Sequence, residues 1–222
     1  MINIAIDGPS GAGKSSIAKA VSSRLGYLYI DTGAMFRSLA YKALSLGIDI
    51  SNEHSKLKSM LLETSLTIER IDGSQHMILD GCDITDKIRT PEVSKAASDI
   101  AVIDFIRAWL LELERSLAKQ NNCIMDGRDI GTHVLPHADV KIFLTASSEV
   151  RAQRRLKELK EKGIETNFED VLAEMKYRDK QDSEREVAPL KKADGAVLAD
   201  TSEKTFDESV ELILDIIKME NK

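Results

Sequence analysis

Cysteine, proline and tryptophan are scarce in this chain, and no long apolar run interrupts it. Its 222 residues include two cysteines, four prolines and one tryptophan, and aromatic residues make up 5%. Cys82 and Cys123 stand far apart with no Cys-x-x-Cys pairing, which indicates neither a zinc ribbon nor a disulfide framework. Two reduced thiols in a cytosolic protein are expected. No segment approaches the roughly 18 apolar residues of a membrane-spanning helix, so no membrane partner is expected. Basic residues are not in excess. Lys and Arg number 31 against 37 Asp and Glu, a net charge of −6. That balance argues against sequence-independent nucleic-acid binding but leaves room for a local basic pocket around a small anion. The N-terminal apolar run is short, has no basic leader and is broken by Asp7. No secretory signal is expected, and the cytoplasm is the expected location.

Apolar residues make up 42% of the chain and charged residues 31%, a globular balance with ample material for a core. Five short apolar runs stand out: "INIAID" (Ile2 to Asp7), "YLYID" (Tyr27 to Asp31), "CIMD" (Cys123 to Asp126), "VKIFLTA" (Val140 to Ala146) and "AVLAD" (Ala196 to Asp200). Such runs suit strands buried on both faces of a parallel sheet. Helical spacing lies between most of them, over Ser15 to Gly26, Met35 to Gly47 and Asp104 to Gln120. The alternation predicts an α/β fold with an open parallel sheet of about five strands. Ser65 to Thr85 breaks the alternation. Leu66 and Ile68, with Ile71 as a further candidate, alternate with polar residues, and "DGSQ" offers a turn. This stretch predicts a small antiparallel insertion. Arg155 to Asp179, highly charged and hinged around Gly163, is a second candidate insertion, with two solvated helices and a loop as the alternative.

"GPSGAGKSS", Gly8 to Ser16, carries Gly8, Gly13, Lys14 and Ser15 in the pattern G-x-x-x-x-G-K-[ST]. A predicted strand precedes it and a predicted helix follows it, as a phosphate-binding loop requires. Glycines let the backbone wrap phosphate oxygens closely, and the new helix adds its positive end. Gly8, Pro9, Ser10, Gly11, Ala12, Gly13, Lys14, Ser15 and Ser16 are therefore expected to bind a nucleoside triphosphate. Lys14 would reach the β and γ phosphates, and Ser15 would help hold Mg²⁺. A guanine-reading N-K-x-D motif is missing, since the one Asn-Lys pair is Asn221-Lys222. ATP is the better donor.

Candidate acceptor residues follow later strands. "DTGAMFR" places Thr32 and Gly33 at a strand end, with Arg37 a turn into the next helix. "DGRDIGT" places Asp126, Arg128 and Asp129 after the third strand. Asp126 suits a metal-side acid acting through water, and Arg128 and Asp129 would face a ligand. Arg178, Asp182 and Arg185 fall at i, i+4 and i+7 and are expected to share one helix face, with Pro189 ending the helix. A surface position for Arg37, and structural ion-pair networks for the other two clusters, remain the alternatives. His133 and His137 are four apart, but Pro136 between them argues against a helical zinc pair. The pattern around Trp109 and Leu110 suits a core-facing helix.

Taken together, "IDGPSGAGK", "DTGAMFR", "IRTPEVSKAAS", "DGRDIGT" and "RDKQDSEREVAPLKKADG" resemble the bacterial-type cytidylate kinases, nucleoside monophosphate kinases of the P-loop class. The similarity covers nearly the full length. It implies a single P-loop kinase domain over residues 1–222 with a three-layer open parallel sheet. Within it, the resemblance implies a β-rich monophosphate-binding insertion over about 62–98 and a short helical lid over about 151–170. It implies transfer of the γ-phosphoryl group of MgATP to CMP or dCMP by a monomer. Arg37, Arg128 and Arg185 match family arginines around the acceptor phosphate. Arg178 and Asp182 match residues near the pentose, and Ser98, Arg107 and Asp129 match residues that read cytosine. Thr32 stands where Ser is frequent and keeps the hydroxyl. Lys14, Arg128, Arg185 and Asp126 are the expected catalytic set. Arg151, Arg154 and Arg155 cluster on one face at the start of the lid. Arg154 is the candidate ATP contact among them, with a solvated face as the equal alternative. Another small-molecule P-loop kinase and a non-catalytic ATP-binding module are the rival readings.

Overall fold

In the computed structural model, which describes residues 1–71, 74–161 and 163–220, the five apolar runs are five strands. They are β1 (Asn3–Asp7) and β2 (Leu28–Asp31), then three that follow the inserted segment described below. The chain divides into two compact units. Met1–Tyr29 with Gln120–Lys222 forms one, and Ile30–Lys119 forms the other.

The first unit is built on the parallel sheet. Ile4, Ala5 and Ile6 are fully buried, because helices cover both faces of a strand joined by right-handed crossovers. α1 (Lys14–Leu25) follows β1 and stops at Gly26, whose φ of 70° is the left-handed conformation a helix end favours. α2 (Thr32–Ser45), α3 (His54–Leu62), β3 (Leu66–Ile71), β4 (Ser74–Leu79), β5 (Cys82–Asp83), α4 (Pro91–Ile100) and α5 (Asp104–Gln120) make up the inserted segment. The chain then returns through β6 (Cys123–Gly127), β7 (Val140–Thr145), α6 (Ser148–Glu161), α7 (Phe168–Glu184), β8 (Val197–Asp200) and α8 (Phe206–Glu220). The sheet order is β2-β6-β1-β7-β8, with β1 parallel to both β6 and β7. Ile17, Ala18 and Val21 of α1 and Val210, Ile213 and Ile217 of α8 share a buried cluster with Ile4, Ile124, Ile142 and Leu144 from the strands.

α6 and α7 form the charged helix pair, joined by a loop in which Gly163 takes a φ of 71°. They are not wholly solvated. Ala152, Val171 and Met175 are buried between them, flanked by Leu156, Leu159, Phe168 and Leu172. α7 ends at Glu184, ahead of Pro189, and Arg185 is already extended. The backbone N–H of Leu190 folds back to the Asp182 carbonyl at 2.8 Å, which satisfies one of the helix's terminal acceptors. Arg185 thus leaves the helix face expected to hold it alongside Arg178 and Asp182.

In the second unit α2 packs against α4, and a three-stranded antiparallel sheet runs β3-β4-β5. Leu66 is buried opposite Leu79, and Ile68 lies opposite the buried Met77. Ile71 is exposed, because an odd offset from Leu66 puts it on the other face of a period-2 strand. The expected "DGSQ" turn falls at Asp72 and Gly73, outside the described residues. The next turn uses Asp80 and Gly81, both at positive φ, the conformation of a tight hairpin turn. Lys42 of α2 ties this hairpin down through a 2.6 Å ion pair with Asp80. Along α5, Ile106, Arg107, Leu110, Glu114 and Ala118 are buried, while Trp109 is half-buried beside that core face.

Candidate active site

The turn from β1 into α1 is shaped by glycine. Gly8 has a φ of 153°, and a Cβ there would stand 1.9 Å from the Leu144 carbonyl oxygen. No other residue fits. Gly13 caps α1 at φ 88°, with no side-chain cap hydrogen bond among the described residues. An uncapped helix N-terminus beside glycines presents N–H donors and a positive dipole to an anion. Lys14 is buried, and its Nζ donates to the Pro9 carbonyl at 2.8 Å. Burial and the neighbouring Arg128 guanidinium push its pKa down, against the pull of Asp126, Asp7 and Asp182.

Ser15 donates its hydroxyl to Asp126 Oδ2 at 2.9 Å, and Tyr29 donates to Asp126 Oδ1 at 2.8 Å. Asp126 is the last residue but one of the fully buried strand β6 and is itself 3% exposed. A hydroxyl and a carboxylate side by side are hard oxygen donors. Among the described residues no group of three or more His, Cys, Asp or Glu side chains could hold a metal ion. Few protein oxygens with the remaining ligands drawn from phosphates and water is the arrangement that suits Mg²⁺.

Beyond Gly127, two ion pairs join the loop after β6 to the end of α7. Arg128 Nε donates to Asp182 at 2.7 Å, and Arg185 donates to Asp129 at 2.9 Å. The second pair is the more buried, with side chains 13% and 9% exposed. Arg178 does not join them. It pairs with Glu174 one turn back on α7 and is half-exposed.

Asp7 anchors the same loop and is missing from the residues singled out by sequence. Its two oxygens accept the backbone N–H groups of Ile130 and Gly131, each at 2.7 Å. Burial raises its pKa to about 6, against the lowering effect of those two hydrogen bonds. The signal was available, since an acid closes the apolar run of β1 just as Asp126 closes that of β6.

The three arginines at the start of α6 divide. Arg151 is buried and fully engaged with Ala146, Ser10 and Asp179. Arg154 donates to the Thr201 carbonyl at 2.7 Å and, at 3.4 Å, to the Ala12 carbonyl of the phosphate loop. Arg155 pairs with Glu158 on its own helix.

In the second unit, Thr32 is buried at the start of α2, and Asp31 caps that helix by accepting from Ala34 N–H at 2.8 Å. Asp31 also receives Arg37 at 3.0 Å. Arg37 Nε is buried with no acceptor among the described residues. Arg107 lies over the Phe36 ring at 5.7 Å and donates to the Ala101 carbonyl at 3.2 Å. Ser98 is exposed on α4, its hydroxyl 3.3 Å from the Ser94 carbonyl.

A family model described as cytidylate kinase matches residues 4–219. The chain belongs to the cytidylate kinase family. A cytidylate kinase of Caldicellulosiruptor saccharolyticus is 50% identical over 97% of this chain and 95% of its own length. A Bacillus cereus cytidylate kinase is 46% identical over 97% and 96%. Among solved structures, an uncharacterized protein from Eubacterium ventriosum is similar in fold, with a TM-score of 0.55 at 13% identity over 98% of this chain and 99% of its own. The glycine loop and the "DGRDIGT" segment follow neighbouring strands, β1 and β6, of one sheet.

Proposed function

We propose that this chain is an ATP-dependent cytidylate kinase, transferring the γ-phosphoryl group of ATP to CMP, with dCMP a second acceptor. The carrying observation is the chemistry gathered at the carboxyl ends of β1 and β6. A glycine-shaped, uncapped helix start with Lys14 stands beside Ser15–Asp126, and two arginine–carboxylate pairs follow.

The donor residues are Gly8 through Ser16. Their amides and Lys14 hold the phosphates, and an anion there restores the charge on Lys14 that burial disfavours. Ser15 and Asp126 would hold the Mg²⁺ that accompanies ATP, which would supply neutralisation of phosphate charge. Arg154, beside Ala12, is the lid's candidate contact to ATP.

The acceptor phosphate is already ionised near neutral pH, so no strong base is needed. The obstacle is repulsion between two anions. Lys14, Arg37, Arg128 and Arg185 offset it and align the in-line transfer, which is the dominant catalytic contribution in this class of reaction. The buried Nε of Arg37 is a donor that a phosphate oxygen would satisfy. Asp182 and Arg178 serve the pentose, Arg178 only after leaving Glu174. Ser98, Arg107 and Asp129 read the base, with Thr32 supporting. Cytosine offers a 4-amino donor that a carboxylate accepts, whereas uracil offers a carbonyl there. That mismatch disfavours UMP by about 1–3 kcal/mol. Residues 62–98 are the monophosphate-binding insertion in this reading, and 151–170 the lid.

A phosphotransfer panel with CMP, dCMP, UMP, AMP, GMP and shikimate tests the proposal. CMP and dCMP should lead, with UMP about tenfold or more behind. Preference for AMP, GMP or shikimate would overturn the acceptor assignment, and transfer to none would favour a binding module.

A further inference from the structure

Arg151 opens an unexpected connection within the first unit. Its side chain is 5% exposed, which is costly for a cation unless its donors are matched. They are matched on three sides. Nε donates to the Ala146 carbonyl after β7 at 2.9 Å, and Nη1 donates to the Ser10 carbonyl in the phosphate loop at 2.9 Å. Nη1 and Nη2 then clasp the two oxygens of Asp179 on α7 at 3.0 and 2.6 Å. One turn earlier on α7, Met175 closes over the same loop, its Cε 2.3 Å from where a Cβ on Gly11 would stand. Three residues beyond Asp179, on the same side of the helix, Asp182 receives Arg128. One stretch of α7 therefore grips the donor loop with one carboxylate and Arg128 with the next.

We propose that Arg151 and Asp179 are positioning residues. Their forked pair sets α7, and with it Asp182 and Arg128, at a fixed distance from the loop that holds the donor phosphates. The inference rests on the reading of Arg128 and Asp182 as acceptor-side residues. Neither Arg151 nor Asp179 needs to touch a substrate. In-line phosphoryl transfer loses rate steeply when the reacting groups are misplaced by about 1 Å, so a stiff bidentate strut here matters.

The experiment is steady-state kinetics on Asp179→Asn, Arg128→Ala and the double variant, with melting temperatures measured alongside. Arg151→Lys is the second probe. It keeps the charge but cannot fork across two oxygens. Asp179→Asn should raise KM for CMP about tenfold and lower kcat, with KM for ATP changed less than threefold. Arg151→Lys should move the same parameters in the same direction, which keeps the test usable if Asp179→Asn melts below the assay temperature. In the Arg128→Ala background, Asp179→Asn should add less than about twofold to KM for CMP, because its effect passes through Arg128. A purely structural role would lower the melting temperature and multiply with Arg128→Ala. CMP parameters within twofold of wild type in both single bridge variants, or effects that multiply in the double variant, would overturn the bridge while Arg128→Ala stays impaired. A silent Arg128→Ala would instead overturn the acceptor reading beneath it, and the bridge with it.

Discussion

The chain makes two strand-to-helix turns early on, and they are built in opposite ways. After β1 the backbone runs through Gly8 to Gly13 before α1 begins, and no side chain caps the helix. After β2 there is no loop at all. Asp31 ends the strand, caps α2 with one oxygen and holds Arg37 with the other. The first turn leaves main-chain amides for an outside anion. The second has supplied its own anion, and the group it presents is an arginine. A helix start can thus serve a phosphate directly through its amides, or indirectly by orienting a charged side chain one turn on. In the proposed reading, the donor side is main-chain chemistry and the acceptor residues act through side chains.

The largest expected contrast is between glycines of the two turns. Gly8→Ala would drive a Cβ into a backbone carbonyl and should cost about 3 kcal/mol or more, with loss of ATP binding. The nearest atoms to a Cβ at Gly33→Ala are Arg37 Nη1 and Asp31 Oδ1, each at 3.1 Å, and these side chains can give way. It should cost under about 1 kcal/mol. Paired melting curves and ATP titrations check both, and equal losses would erase the distinction between the turns. Next, Asp31→Ala should cost about 1 kcal/mol of stability through the lost cap. It should also raise KM for CMP several-fold through the released Arg37, with KM for ATP unmoved.

A further contrast is a pH signature at Asp7. Its native pKa of about 6 lies above the ordinary 3.8 because of burial. The folded state therefore binds a proton that the unfolded state has already lost between those values. The Asp7 contribution to stability is fully present below about pH 4 and is lost as pH rises through about 6. Asp7→Asn should remove that slope. The stability of wild type relative to the variant should fall from pH 4 to pH 6 and level off above, as read by denaturant titration across that range. A difference that rises over the same interval would contradict the assignment.

The sheet was legible because strands buried on both faces leave continuous apolar runs, and "INIAID" and "VKIFLTA" mark β1 and β7 to within a residue or two. The glycine turn from β1 into α1 was legible because its pattern and its flanking elements are contiguous in sequence. The partners of the later charged residues were less so. Arg178, Asp182 and Arg185 read as one helix face by spacing, yet α7 stops at Glu184 and each finds a different partner. Spacing gives a direction along an intact helix but not where the helix ends or which carboxylate a long side chain reaches. Arg151, Arg154 and Arg155 fall on one helix face by spacing, which does not show that Arg151 is buried and paired with Asp179 while Arg155 pairs with Glu158 on its own helix. Asp7 went unread because a lone acid in an apolar run shows its role only when the loop it holds, 123 residues later, comes into register beside it.

The most direct measurement is the turnover of Arg128→Ala with saturating ATP and CMP. Side-chain neutralisation of the acceptor is the core of the proposed mechanism, and Arg128, close enough to Lys14 to push its pKa down, directly follows β6, the strand paired with β1. The account predicts a fall in kcat of about 100-fold or more with the melting temperature nearly unchanged. A kcat within threefold of wild type would contradict it.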